Sequence, residues 1–279
     1  QRAIAAEVQR QVEARYHDII GIIQHEFRTP MTLLLGYGEY LRDALDDKLD
    51  KDELKLSVDA ILSGSLRLNR LIESFLFLSE LQYKRADQLQ MQRIVPAMLW
   101  REVQIMRRAE AAESPVEIVL TNPEDMPAAE VDPELVREAL SRLLDNALQY
   151  TRPGSQEIRL RVETTGQWVR WIIEDQGPGI EADQLQRILE PFGHVQGKRF
   201  APQAVGLSLA IVKRIAELHG GALTVESELD EGSRFILQLP RHMAQEKGGA
   251  DDWAGEARTP DASPREDDEP PPKNGTYSA

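Results

Sequence analysis

The chain has 279 residues, 41% of them apolar, a formal net charge of -14 and no cysteine. The missing cysteine excludes disulfides, thiolate metal sites and cysteine nucleophiles, and fits a reducing cytoplasm. The acidic balance argues against a nucleic-acid surface, which needs clustered Lys and Arg, and no apolar run approaches the roughly 20 residues that span a bilayer.

Pattern divides the chain into four segments. Residues 1–15 read as a helical lead-in that opens mid-helix at Gln1, so upstream sequence, with any membrane anchor, is expected before it. Residues 16–88 carry heptad-like spacing. In the first helix Tyr16, Ile20, Ile23, Phe27, Pro30, Leu34, Tyr37 and Leu41 alternate three and four apart as a seam, and the opposite positions, His25 and Thr32 among them, are polar. Pro30 is expected to bend this helix. A polar break at Asp46–Asp52 precedes a second helix carrying Leu54, Val58, Ile61, Leu68, Ile72 and Phe75. Two long helices and a short loop predict an antiparallel hairpin. Apolar extras such as Leu33, Leu62 and Leu71 exceed one seam, which predicts pairing of two hairpins into a dimeric four-helix bundle, hence a homodimer.

Residues 89–240 mix helix and strand. Strands are expected at Leu89–Ile94, Val116–Leu120, Glu157–Glu163, Trp168–Glu174, Ala222–Glu226 and Arg234–Leu239. Helices are expected from Pro96, from Asp132 as cap with Pro133 at the first turn, and over Leu207–His219, stopped by Gly220-Gly221. This order predicts an α/β sandwich with helices on one face of a sheet, so the whole is α+β and multidomain. Residues 241–279 are acidic and proline-rich, a composition that predicts disorder.

Four features bear on chemistry. His25, opposite the seam, offers an exposed imidazole whose unprotonated nitrogen can act as nucleophile. Glu26 beside it can take or orient the other ring proton, and Thr29 lies one turn on. An isolated histidine of this kind is more often plain surface. Asp175-Gln176-Gly177-Pro178-Gly179 follows a strand in which alternation puts Asp175 on the apolar face of Val169, Trp171 and Ile173. A carboxylate there needs a donor, such as the amino group of adenine, and Gly177 and Gly179 would let backbone come close; the pentapeptide by itself also suits an ordinary turn. Asn146 flanks the stripe of Val136, Leu140, Leu143 and Ala147; its amide oxygen suits Mg2+, though a polar boundary residue reads the same way. Gly206-Leu207-Ser208 opens the last helix, whose N-terminal amides attract phosphate.

His25-Glu26-Phe27-Arg28-Thr29-Pro30 resembles the phosphoacceptor box of sensor histidine kinases, with Phe27 for the usual leucine. Leu143–Ala147, Asp175–Gly179, Glu190-Pro191-Phe192 and Gly206–Val212 resemble, in family order, the asparagine, first glycine, phenylalanine and second glycine boxes of the GHKL ATPase fold. The resemblance runs from about Tyr16 to Pro240. It implies that His25 is phosphorylated from ATP and passes the group to the receiver domain of a response regulator. It implies Mg2+ at Asn146 and a nucleotide site including Tyr150, Asp175, Gly177, Gly179, Phe192, Gly206 and Leu207. It also implies a lid over Gly193–Val205 with Lys198 and Arg199 near phosphates, and a phosphatase role for Thr29. The sequence departs from the commonest pattern at Arg142, Gln149, His194, Ala204 and Ser208. A degenerate kinase serving as nucleotide-binding scaffold or phosphatase therefore stays open, as does, less well matched, an ATP-driven clamp.

Overall fold

The computed structural model describes residues 2–44, 50–106, 116–121, 126–151, 157–193 and 206–242, with side chains from residue 24 onward. The hairpin is α1 (Arg2–Asp43) and α2 (Lys51–Tyr83). α1 is one continuous helix through the lead-in and through Pro30. Asp50 caps α2, its carboxylate accepting from the Lys51 N–H at 2.7 Å. Of the expected seam on α1, Pro30 is buried and Phe27, Leu34, Tyr37 and Leu41 are half-buried.

On α2 the buried face, turned partly to α1 and partly to the domain that follows, differs from expectation. The buried residues are Ser57, Gly64, Leu71, Ser74, Leu78 and Leu81, with 57, 64, 71 and 78 at strict heptad spacing. Leu54, Val58, Ile72 and Phe75, which the pattern had carrying the helix, are 39–46% exposed. Small residues explain the choice. A Cβ on Gly64 would lie 3.3 Å from both the Pro30 carbonyl oxygen and Leu34 Cγ, so a larger residue would hold the helices apart. Leu54, Val58, Leu62 and Leu66 form an i,i+4 row left bare on the flank.

After a short 3-10 turn (Ala86–Gln88) come β1 (Gln92–Ile94), α3 (Pro96–Met106), β2 (Glu117–Thr121), β3 (Ala129–Val131) and α4 (Pro133–Tyr150). They are followed by β4 (Glu157–Thr165), β5 (Trp168–Asp175), a second 3-10 turn (Arg187–Leu189), α5 (Ser208–Leu218), β6 (Ala222–Glu228) and β7 (Gly232–Pro240). The main sheet runs β2-β4-β5-β7-β6, antiparallel except for the β2/β4 pair. Alternation sends Ile158, Leu160 and Val162, Val169, Trp171 and Ile173, and Phe235, Leu237 and Leu239 inward against the helices, all at 0–1% exposure. The opposite face carries charges in cross-strand register, Arg234 pairing Glu174 and Glu226 at 3.1 Å each. β1 is shorter than expected and pairs with β3, which periodicity had not indicated. The domain also reaches past Pro240, since Arg241 donates to the Gln167 carbonyl at 2.7 Å and accepts from the Glu130 N–H at 2.8 Å.

α2 and the ATPase-like domain meet along the lower half of that helix. Arg142 on α4 pairs Glu138 at 2.7 Å, donates to Ser74 Oγ at 3.2 Å and lies 5.7 Å from the Phe77 ring centre. Arg214 on α5 donates to the carbonyls of Leu81 at 3.1 Å and Lys84 at 3.2 Å, where α2 ends with unpaired acceptors.

Candidate active site

His25 projects from α1 with its side chain 77% exposed, while Glu26 next to it is turned into the hairpin at 10%. One carboxylate oxygen, Oε1, lies 3.6 Å from His25 Nδ1. The other, Oε2, accepts from Arg67 Nη2 on α2 at 3.0 Å. Sequence reasoning missed Arg67, because pairing across 41 positions leaves no local signal. Thr29 is exposed, and its hydroxyl donates to the His25 carbonyl at 3.2 Å, the common back-bond of a helical threonine.

Asp175 ends β5 at 7% exposure. Burial pushes its carboxyl up to about 6, opposed by hydrogen bonds from the Gly177 and Ser233 backbone N–H groups. The Gly177 N–H reaches Asp175 Oδ1 at 2.8 Å. The two glycines are needed for reasons internal to the protein. A Cβ on Gly177 would stand 2.7 Å from Asp175 Oδ1 and 2.9 Å from the Tyr150 carbonyl oxygen. Gly179, at φ +71°, presses against the Glu228 carbonyl, with no room for a side chain. Gly177 thus packs against the end of α4, and Gly179 against the β6–β7 turn. That turn holds the loop further through Ser227 Oγ, which accepts from the Ile180 N–H at 2.8 Å, and through the Asp230 N–H, which reaches the Pro178 carbonyl at 2.8 Å.

Tyr150 closes α4 directly behind this loop, and burial raises its phenol above the ordinary range. Asn146, one turn earlier, is half-buried at the edge of the helix's apolar stripe, as the sequence suggested. α5 starts at Ser208 without a side-chain cap, which leaves its first N–H groups for another acceptor. Leu207, named with the site, is fully buried and belongs to the core. Phe192 is also in the core, at 5% exposure and φ +61°, an unusual backbone for a bulky residue. Its N–H donates to the Gly206 carbonyl at 2.7 Å, joining the two ends of the segment between them. Lys198, with His194, Arg199 and Ala204, lies outside the described residues, as does the tail after residue 242.

A second feature unsignalled by the sequence is His219 at the end of α5, 1% exposed. Its Nε2 accepts from the Asp132 N–H at 3.1 Å and its Nδ1 lies 2.8 Å from the Ile215 carbonyl, so the neutral ring carries its proton on Nδ1. Burial lowers its pKa, with Lys84 adding to the effect, against the Ile215 carbonyl and the Asp132 charge. Asp132 in turn accepts from the Gln90 and Leu135 N–H groups, at 3.0 and 3.2 Å. These bonds tie the linker after the hairpin to the starts and ends of the helices that carry the site.

Residues 17–84 match the family described as His Kinase A (phospho-acceptor) domain, and residues 131–243 the Histidine kinase-, DNA gyrase B-, and HSP90-like ATPase family. Sensor protein SrrB of Staphylococcus aureus (strain N315) is 34% identical over 227 residues, covering 80% of this chain and 38% of SrrB. The chain thus spans well under half the length of that relative. Among solved structures, histidine kinase ThkA in complex with response regulator protein TrrA superposes with a TM-score of 0.67 at 22% identity, covering 83% of this chain and 64% of that one. Full-length ShkA in complex with AMPPNP gives a TM-score of 0.58 at 28% identity, covering 82% and 46%. With a phosphoacceptor hairpin and an ATPase domain matched in this order around His25 and Asp175, the chain belongs to the sensor histidine kinases.

Proposed function

We propose that the chain transfers the γ-phosphoryl group of ATP to His25 and then to an aspartate in the receiver domain of a response regulator. The exposed His25 ring, set beside an anchored carboxylate in the same folded unit as the Asp175 pocket, carries this reading. The Nε2 lone pair forms the bond to phosphorus. The bond from phosphorus to the β,γ-bridging oxygen breaks, and ADP leaves with that electron pair. The ring becomes cationic, and the Glu26 carboxylate at Nδ1 stabilises that charge or accepts the proton. In the second step a receiver carboxylate oxygen takes the phosphoryl group, and the electron pair returns to Nε2. ThkA, of the same fold, was solved with a response regulator, and we assign that class of partner here.

Asp175 would accept from the adenine amino group in its ionised form. The uncapped start of α5, with Gly206 at φ +70° before it, offers N–H groups to the phosphates. Asn146 fits Mg2+ as one neutral oxygen donor completed by phosphate oxygens and water, and among the described residues no cluster of three acidic or histidine ligands competes with it. The ion would neutralise phosphate charge. The bare apolar row on α2 supports a dimer built through the hairpins.

For Thr29, a hydroxyl that donates to the His25 carbonyl still has lone pairs to accept from a water, and we assign it to dephosphorylation of the partner. Incubation with γ-labelled ATP and Mg2+ tests the main reading. Acid-labile, base-stable label, absent in His25→Gln, is expected; label that survives acid, or persists in that variant, overturns it. In Thr29→Ala only regulator dephosphorylation should fall. Parallel loss of both activities would make Thr29 structural.

A further inference from the structure

We infer that Arg67 is a positioning residue for phosphoryl transfer: from α2 it grips one oxygen of Glu26, sets the other beside Nδ1 of His25, and so presents Nε2 as the attacking nitrogen. The inference rests on His25 as phosphoacceptor and adds a residue that no motif marks.

Neighbours on a helix point about 100° apart and do not face each other. Glu26 is directed into the hairpin, and its own helix gives it no reason to turn back toward His25. What turns it is across the interface. Arg67 Nη2 sits 3.0 Å from Oε2, with the two side chains 17% and 10% exposed, so both charges are largely withdrawn from water and their attraction is little screened. With Oε2 committed, Oε1 is left 3.6 Å from His25 Nδ1. The backbones are close here because Gly64, one turn before Arg67, leaves a Cβ's distance of only 3.3 Å to the Pro30 carbonyl, one turn after Glu26. A short gap restricts the rotamers in which Glu26 can reach Arg67 at all.

The consequence is a chosen tautomer. A carboxylate oxygen beside Nδ1 favours the proton on that nitrogen. Nε2, on the far side of an exposed ring, then holds the free lone pair. An unrestrained imidazole prefers the opposite arrangement, with the proton on Nε2. Without Arg67, Oε2 would lose the donor that fixes its direction, and the preference at His25 would lapse. Lysine keeps the charge at residue 67 but lacks the planar fork that fixes the direction of a carboxylate.

The test uses the whole chain, comparing wild type with Arg67→Gln and Arg67→Lys. Two readouts are taken: nitrogen NMR of histidine-labelled protein without nucleotide, with the His25 signals assigned by His25→Gln, and initial autophosphorylation rates against ATP concentration. In wild type the Nδ1–H form of neutral His25 should dominate. In Arg67→Gln the Nε2–H form should take over, and kcat should fall about tenfold, near 1.4 kcal/mol of barrier, with KM for ATP unchanged. Arg67→Lys should recover only part of both. A lower melting temperature with the wild-type tautomer retained would make Arg67 merely structural and overturn the inference, as would an unchanged kcat. If Arg67→Gln fails to fold, Glu26→Gln decides: loss of the Nδ1–H preference supports the inference and its retention overturns it. The tautomer is read without ATP, so a wild type that takes no label would sink the kinase reading and not the geometric one.

Discussion

In the hairpin, six residues of α2 are buried and three of those are serine or glycine. In the ATPase domain the inner faces of β4, β5 and β7 are closed by leucine, isoleucine, valine, phenylalanine and tryptophan at 0–1% exposure. The second region closes the inner face of its sheet within one chain, although Met98, Ile105 and Met106 on α3 stay 55–70% exposed. The first leaves Leu62 and Leu66 at 55% and 60% exposure on a well-formed helix. Gly64 lets α1 and α2 approach closely, and Leu54, Val58, Leu62 and Leu66 are left on the flank. The proposed dimer would cover the row on α2, while the sheet of the domain needs no partner to close its core.

That contrast is most exposed to Leu66→Glu. Within one chain the change touches solvent only, so helicity and the melting of the ATPase domain should stay as they are. In a symmetric dimer it buries two carboxylates against apolar surface, and the dissociation constant should rise about 1,000-fold, as two penalties of about 2 kcal/mol each would give. Sedimentation as a tight dimer would break the comparison.

Asp175→Asn probes the closed region. The folded carboxyl titrates at about 6 against an ordinary 3.8. Between those values the folded state holds more protons than the unfolded, so this group's contribution to stability falls as pH rises through roughly 4 to 6. Up to about 3 kcal/mol is then withheld at neutral pH. The amide should stabilise the nucleotide-free domain at pH 7.5 by about 1–3 kcal/mol and flatten its pH dependence. The same change should weaken ATP binding roughly tenfold, since a buried bond to a charged acceptor is worth about 1.5–3 kcal/mol. In wild type, ATP affinity should rise with pH through about 6. Melting curves and calorimetry across pH would show either trend reversed.

The smallest effect is expected at the junction. Arg142→Ala removes the contacts to Ser74 and Phe77 and should cost about 1 kcal/mol of docking between α2 and α4. Faster amide exchange confined to residues 84–91, with the melting of each region unchanged, would sharpen the distinction between them. Uniform loss of protection would erase it.

Features set by local chemistry could be read in advance: the cap at Asp132 with Pro133, the stop at Gly220-Gly221, and the inward turn of Asp175 at the end of an alternating strand. The hairpin was legible as two helices, but which face of α2 meets α1 was not. Leucines mark both faces of that helix, and the residue seen against α1 is Gly64, which hydrophobic patterns ignore. β3 is three residues long and exists through its pairing with β1. Arg67 with Glu26, and His219 with Asp132, join positions 41 and 87 apart. Gly177 and Gly179 could be read as places of close approach, but what approaches them within the protein could not. Their space is taken by Tyr150 and Glu228, which only the fold brings there.

Arg142 stands where the family more often has asparagine, and the structure ties it to Glu138, Ser74 and Phe77. Arg214 adds two bonds to the last carbonyls of α2. The two domains are thus fitted to each other through these side chains. A chimera that set this ATPase domain on a relative's hairpin would strand a half-buried guanidinium with no hydroxyl or ring to receive it. Exchange of modules between such proteins should succeed only when residues 74 and 77 travel with residue 142, so this junction is inherited as a unit although it joins two separable parts.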